Sequence, residues 1–138
     1  GPARSVLPRD RRVRTPAEFR HLGRTGTRAG RRTVVVSVAT DPDHTRSTSP
    51  SVPRPRAGFV VSKAVGNAVT RNRVKRRLRA VVAEQMRTAP LRELPVLMQV
   101  RALPPAAEAD HALLRRETVG ALAKALRPHL PAVPRDEA

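Results

Sequence analysis

Residues Gly66 to Arg79 read GNAVTRNRVKRRLR, and their reading decides how the rest of the chain is arranged. From Arg71 to Arg79, six of nine positions are basic: Arg71, Arg73, Lys75, Arg76, Arg77 and Arg79. Threaded through them are Val69, Val74 and Leu78, followed by Val81, Val82 and Met86. Positions 74, 78, 81, 82 and 86 return at helical spacing, which predicts a helix with one apolar side. Basic residues cover most of the remaining circumference. Most charge runs are simply solvated faces. This one carries a single sign, whereas a solubilising face usually mixes signs. A helix that docks on a core while presenting this much arginine suits a polyanion.

Outward from the helix, the elements follow from local pattern. Ala57 to Ser62 reads as a strand leading into it, and the helix itself should start near Asn67 or Ala68 and run to about Thr88. Thr33 to Thr40 (TVVVSVAT) is rich in β-branched residues and reads as a buried strand. Between these strands, Asp41 to Arg56 holds four prolines with Ser and Thr, and is expected to be a mobile, structureless connection. Upstream, Thr15-Pro16-Ala17-Glu18 combines a cap, a proline at the first helical position and a capping-box glutamate. That predicts a helix carrying Phe19 and Leu22 on one side and stopping at Gly23 to Gly26. Downstream, Pro90 to Pro95 is a break, Pro95 to Leu103 a strand and Pro104 to Ala109 a loop. Asp110 caps a predicted helix over His111 to Leu126, and Pro128, Pro131 and Pro134 prevent its continuation.

The order is α, two or three strands, α, β, α. It implies an α+β fold, a two-layer sandwich with one central sheet and helices packed on it. The expected organisation is a basic N-terminal arm over 1–14, a single domain over 15–127 containing the 41–56 loop, and a flexible tail over 128–138. Gly1-Pro2 has the form of a protease-cleavage scar and is set aside.

Composition narrows the function. The chain of 138 residues has a formal charge of +17, with 25 arginines against three lysines. Self-repulsion of that size disfavours the compact state and is relieved by a polyanion. Nucleic acid is the first candidate, and an anionic membrane surface the second. Aromatic content is 1%, so the core must be built from Val, Leu and Ala. With no cysteine, disulfide frameworks and thiolate metal sites are excluded. No apolar run approaches the length of a membrane span, and no secretory leader is visible, so the cytoplasm is the default location.

A protein nuclease needs metal-binding carboxylates or a base–acid pair. Of eleven acidic residues, Asp41 and Asp43 are the close pair weighed for such a role, and the reading places both in the mobile loop. His21, His44, His111 and His129 have no metal-ligand spacing and read as surface residues. No phosphate-binding glycine loop of the Walker type is present. The expectation is therefore no catalytic residue and no metal site on the protein.

The string from Gly58 to Arg79, GFVVSKAVGNAVTRNRVKRRLR, closely resembles the signature of the bacterial ribonuclease P protein subunit. A strand ends in Ser-Lys, followed by Gly-Asn-Ala-Val, Arg-Asn-Arg, a hydrophobic residue and Lys-Arg. A bare basic run would be weak; this ordered string is specific. The resemblance extends more loosely from about Val13 to about Leu126.

It implies an αβββαβα order with a left-handed βαβ crossover around the basic helix, against the usual hand. It also implies a division of labour in which a catalytic RNA subunit, holding most of the Mg²⁺, removes the 5′ leader from precursor tRNA. Carried over by residue, Arg71, Asn72, Arg73, Lys75, Arg76 and Arg79 would face the catalytic RNA. Ser62, Lys63 and Asn67 match the turn before the helix, a phosphate or metal-ion neighbourhood. Phe19, Ser37 and Arg32 fall where the leader would lie, in a cleft between the first helix and the sheet. Two positions depart from the family pattern, since common cleft aromatics are replaced by Gly23 and Ser37. The leader contact should then be weaker, or lean on arginine and backbone. Phe19 is otherwise a plain core residue. The implied partners are the catalytic RNA and precursor tRNA, with no membrane and no obligate protein partner. The competing class is a ribosomal or general structural RNA-binding protein.

Overall fold

A computed structural model describes residues 16–42 and 54–131. Helix α1 (Pro16–Thr25) is followed by strands β1 (Thr27–Gly30), β2 (Val34–Thr40) and β3 (Arg56–Val60). Helix α2 (Ala68–Met86), strand β4 (Val96–Ala102) and helix α3 (His111–Leu126) complete the domain. Short 3₁₀ turns occupy Lys63–Val65, Leu91–Glu93, Pro104–Ala107 and Arg127–His129. The order is αβββαβα, as the resemblance implies. The expected N-terminal arm and the Thr15 cap lie outside the described residues, as do positions 43–53 and 132–138.

The sheet order is β1-β2-β4-β3. β2 pairs antiparallel with β1 and with β4, while β3 runs parallel to β4. The β3–β4 connection is therefore a crossover, and α2 is its helix.

Alternation along the strands sends residues to two different faces. Val34, Val36 and Val38 of β2 share one buried cluster with Val96, Met98, Val100 and Ala102 of β4. Onto that face pack Val74, Leu78, Val82 and Met86 of α2, and Leu114, Ala121, Leu122 and Leu126 of α3. Ala39 and Leu97 point the other way, where Leu22 and Phe19 of α1 meet them. Two helices thus cover one face of the sheet. α1 covers only one end of the other, the end where β2 finishes and β4 begins.

Local chemistry sets the helix ends. Asn67 caps α2 by accepting from the Thr70 amide at 2.9 Å, and Asp110 caps α3 by accepting from the Leu113 amide at 2.8 Å. α1 stops at Gly26, whose amide donates to the Leu22 carbonyl at 2.9 Å. A Cβ there would sit 2.4 Å from that same oxygen, so a larger residue is excluded.

The strand over 27–30 is absent from the sequence reading, which runs from the glycine stop directly to Thr33. β1 is the edge strand that pairs Thr27 with Val38 and Gly30 with Val35. The C-terminal helix secures this edge: the Thr27 hydroxyl donates to the Ala125 carbonyl at 2.6 Å. Glu117 accepts from both the amide and the hydroxyl of Thr33, at 3.0 and 2.7 Å. Residues 128 and 129, read as the start of a tail, belong to the last turn, and the His129 Nε2 lies 3.1 Å from the Thr27 hydroxyl.

Candidate nucleic-acid interface

α2 is apolar where the sequence says and basic elsewhere, with one exception. Val74, Leu78, Val81, Val82 and Met86 are buried, but Val69, read as part of the apolar thread, is 74% exposed. It lies in the first turn, before the helix reaches the sheet. The exposed residues of the N-terminal half are Ala68, Val69, Asn72 and Arg76, with Lys75 and Arg79 half-buried beside them.

Three of the basic side chains are partly committed to the fold. Arg71 Nε donates to the Gly66 carbonyl at 3.1 Å. An Arg73 terminal nitrogen donates to the Ala107 carbonyl at 2.9 Å, and Arg77 reaches the Ala109 carbonyl at 3.4 Å. The last two bonds tie α2 to the Pro104–Ala107 turn and the segment just after it, so Arg73 is not the freely substitutable surface residue that its distance from the apolar stripe suggests. The planar guanidinium spreads its donors over a fork, so a side chain bonded on one edge still presents others.

Ahead of the helix, Ser62 and Lys63 are exposed. Gly66 takes φ 154°, a region favouring glycine, and a Cβ would lie 3.0 Å from Thr70 Cγ2. The turn therefore requires glycine to aim the chain into α2. The Asn67 side-chain oxygen is already the helix cap.

The remaining residues assigned to the leader fall on or beside the second face of the sheet. Ser37 lies in the middle of β2, paired with Arg28 of β1 and Gln99 of β4. It is only 8% exposed and offers little surface. The strand register puts Arg28, Val35, Gln99, Arg101 and Val60 on this same face, away from the main core. Arg28 and Arg101 are both exposed, and sequence reasoning assigned neither to a site. The signal was strand alternation, which needed the register to become visible. Phe19 is half-buried against Leu22, Ala39 and Leu97, at the margin of the α1-covered end. Arg32 is exposed in the β1–β2 turn, at the opposite end of the sheet.

Asp41 departs most from the sequence reading. It is 5% exposed, and Arg56, expected in the same mobile loop, is 7% exposed and opens β3. Arg56 Nε donates to Asp41 Oδ2 at 2.9 Å and a terminal nitrogen to Oδ1 at 3.0 Å. The guanidinium also pairs with Glu18 of α1, itself 7% exposed. Burial works against the Arg56 charge, but hydrogen bonding and attraction from Asp41, then Glu18, outweigh it and raise its pKa. His21 also joins α1 to the sheet, its Nε2 2.9 Å from the Thr40 carbonyl oxygen.

Among the described residues no three His, Cys, Asp or Glu side chains gather as a metal cluster, and no helix is long and apolar enough to cross a membrane. A strongly basic α+β scaffold with an arginine-faced helix on one layer and a half-open sheet on the other is the kind of protein that suits a polyanion. Residues 7–126 match the family model for ribonuclease P. The chain is 91% identical over 127 residues to the ribonuclease P protein component of Micrococcus luteus, covering 92% of this chain and 96% of that one. It is 46% identical to that of Streptomyces griseus, covering 88% and 96%. The fold matches the RNase P protein of Staphylococcus aureus with TM-score 0.66 at 24% identity, covering 87% and 92%. It matches that of Thermotoga maritima with TM-score 0.65 at 20% identity, covering 82% and 96%. The chain belongs to the ribonuclease P protein family, the protein subunits of the enzyme that matures the 5′ end of tRNA.

Proposed function

We propose that this subunit uses its two layers for two RNAs. The N-terminal half of α2, with Asn72, Lys75, Arg76 and Arg79 and the outer edges of Arg71 and Arg73, binds the catalytic RNA. Ser62 and Lys63 extend that surface toward its phosphates. The half-open sheet face, from Phe19 past Ser37 and Gln99 to Arg32, receives the 5′ leader of precursor tRNA. The observation carrying this reading is the placement of arginines on separate faces: α2 lies on one side of the sheet, while Arg28 and Arg101 lie on the other. Bases stack on an aromatic such as Phe19, and arginines neutralise the phosphates.

Magnesium binds hard oxygen donors, mostly carboxylates. The described residues offer no such cage, and Asp41 is already engaged by Arg56. The described residues therefore do not fit as the holder of the catalytic Mg²⁺, and we assign the hydrolytic chemistry to the RNA subunit. The protein contributes charge and position. A chain of +17 replaces part of the ion atmosphere that two closely packed RNAs would otherwise need.

The test is a cleavage assay on precursor tRNA with protein alone, RNA alone and both. Protein alone should not cleave. Both together should cleave at low Mg²⁺, where RNA alone is slow. Robust metal-dependent cleavage by RNA-free protein would overturn the assignment.

A further inference from the structure

The Glu18–Arg56–Asp41 triad joins three elements that are distant in sequence. Glu18 lies in the first turn of α1, Asp41 just after β2, and Arg56 at the start of β3. All three are almost completely buried. Register fixes the location: Arg56 pairs with Leu97, on the sheet face where Leu97 meets Phe19 and Leu22. The ionic network therefore sits under α1, beside the residues that seat it.

Stability alone is a poor reason for such a network. Removing charges from water offsets much of their attraction, and replacing a whole buried network by apolar residues is often neutral or stabilising. Directional hydrogen bonds do something an apolar contact cannot: they admit few relative positions of the groups they join. α1 especially needs that restraint. Its apolar seat is small, formed by Leu22 and Phe19 on Ala39 and Leu97, and small smooth contacts permit sliding. Arg56 holds a carboxylate of α1 and a carboxylate of the β2 end on one rigid fork.

We propose that the Glu18–Arg56–Asp41 triad is a positioning device that sets α1 over the sheet, and thereby sets the cleft that discriminates precursor from mature tRNA. These residues act through α1 and Phe19, not by touching RNA. The inference rests on the leader reading given above, and its test separates the two.

The measured quantity is the ratio of precursor to mature tRNA affinity in the reconstituted holoenzyme. The main variant replaces all three side chains, Glu18→Leu with Asp41→Leu and Arg56→Met, so that none of the three charges stays buried without the other two. It should fold, bind the catalytic RNA within about two-fold of wild type, and lose about five-fold or more of the ratio, a part of one stacked base. An unchanged ratio in the folded variant shows that the triad only supports the fold, and overturns the proposal. If the triple variant does not fold, Glu18→Ala removes only the α1 arm, leaving Arg56 bonded to Asp41, and reads the same ratio, with wild-type discrimination again overturning it. Arg28→Glu with Arg101→Glu tests the cleft directly. If that pair lowers the ratio and the triad variants do not, only the positioning role fails. If neither lowers it, the leader reading itself fails.

Discussion

Phe19 is placed where one side chain could serve both packing and the proposed leader recognition. Its ring is half-buried against Leu22, Ala39 and Leu97, and the remainder faces the margin of the sheet. The core reading therefore describes part of the ring, and the cleft role is proposed for the exposed remainder. Phe19→Leu retains most of the buried portion and removes the flat face. The expected outcome is a roughly five-fold loss in holoenzyme affinity for precursor tRNA, the low end of the ~1–3 kcal/mol of a base–aromatic stack. Affinity for mature tRNA, which has no leader, should hold. Equilibrium binding of both tRNAs measures it, and an unchanged ratio would leave Phe19 a packing residue alone. A full Phe19→Ala truncation is less informative, because cavity formation in a core costs about 3–5 kcal/mol.

At the scale of elements, α2 is the decisive one. Its apolar stripe seats it on the sheet, and its exposed arc is the surface proposed to bind the catalytic RNA. The bonds from Arg73 to Ala107 and Arg77 to Ala109 mean that charge reversal at those positions would confuse docking with recognition. Arg76, exposed, and Arg79, half-buried, have no hydrogen bond or ion pair among the described residues and are the cleaner pair. Arg76→Glu with Arg79→Glu should weaken affinity for the catalytic RNA while leaving the circular dichroism spectrum intact. Abolishing one arginine–phosphate interaction should reduce the slope of log affinity against log salt by somewhat under ~1 unit. An unchanged slope in the folded double variant would show that this arc is only solvated.

Across the whole molecule, the connection between β2 and β3 has fixed ends, because Asp41 and Arg56 hold each other. Replacing residues 43–53 by a short Gly-Ser segment should move the melting temperature by less than about 4 °C, because closure entropy changes slowly with loop length. A larger fall would mean that this stretch packs on the domain. Extending the replacement to Asp41 should lower the melting temperature further, because the buried Arg56 guanidinium then loses its two bonds to Asp41 and keeps Glu18. Thermal melts of the two variants side by side distinguish the spacer from its anchors.

Elements whose signals are local were legible from the residues alone. Asp110 and the prolines after Leu126 bracket α3 at the bounds observed, and Asn67 announces the start of α2. The β-branched run of β2 and the helical period of α2 carry their own pattern, and the ordered string around Arg71-Asn72-Arg73 carries the family. Everything else waited for the fold, because pairing between distant residues leaves no local mark. TRAG at 27–30 has no strand pattern and becomes a strand because β2 offers an open edge. Val69 falls outside the buried stripe because the first turn of α2 overhangs the sheet. Asp41 and Arg56 stand among prolines and serines that read as loop, yet their charges are buried because each is the other's partner, with Glu18 arriving from a helix well upstream. A charged residue in a polar stretch reads as solvated until the fold brings it a counter-charge.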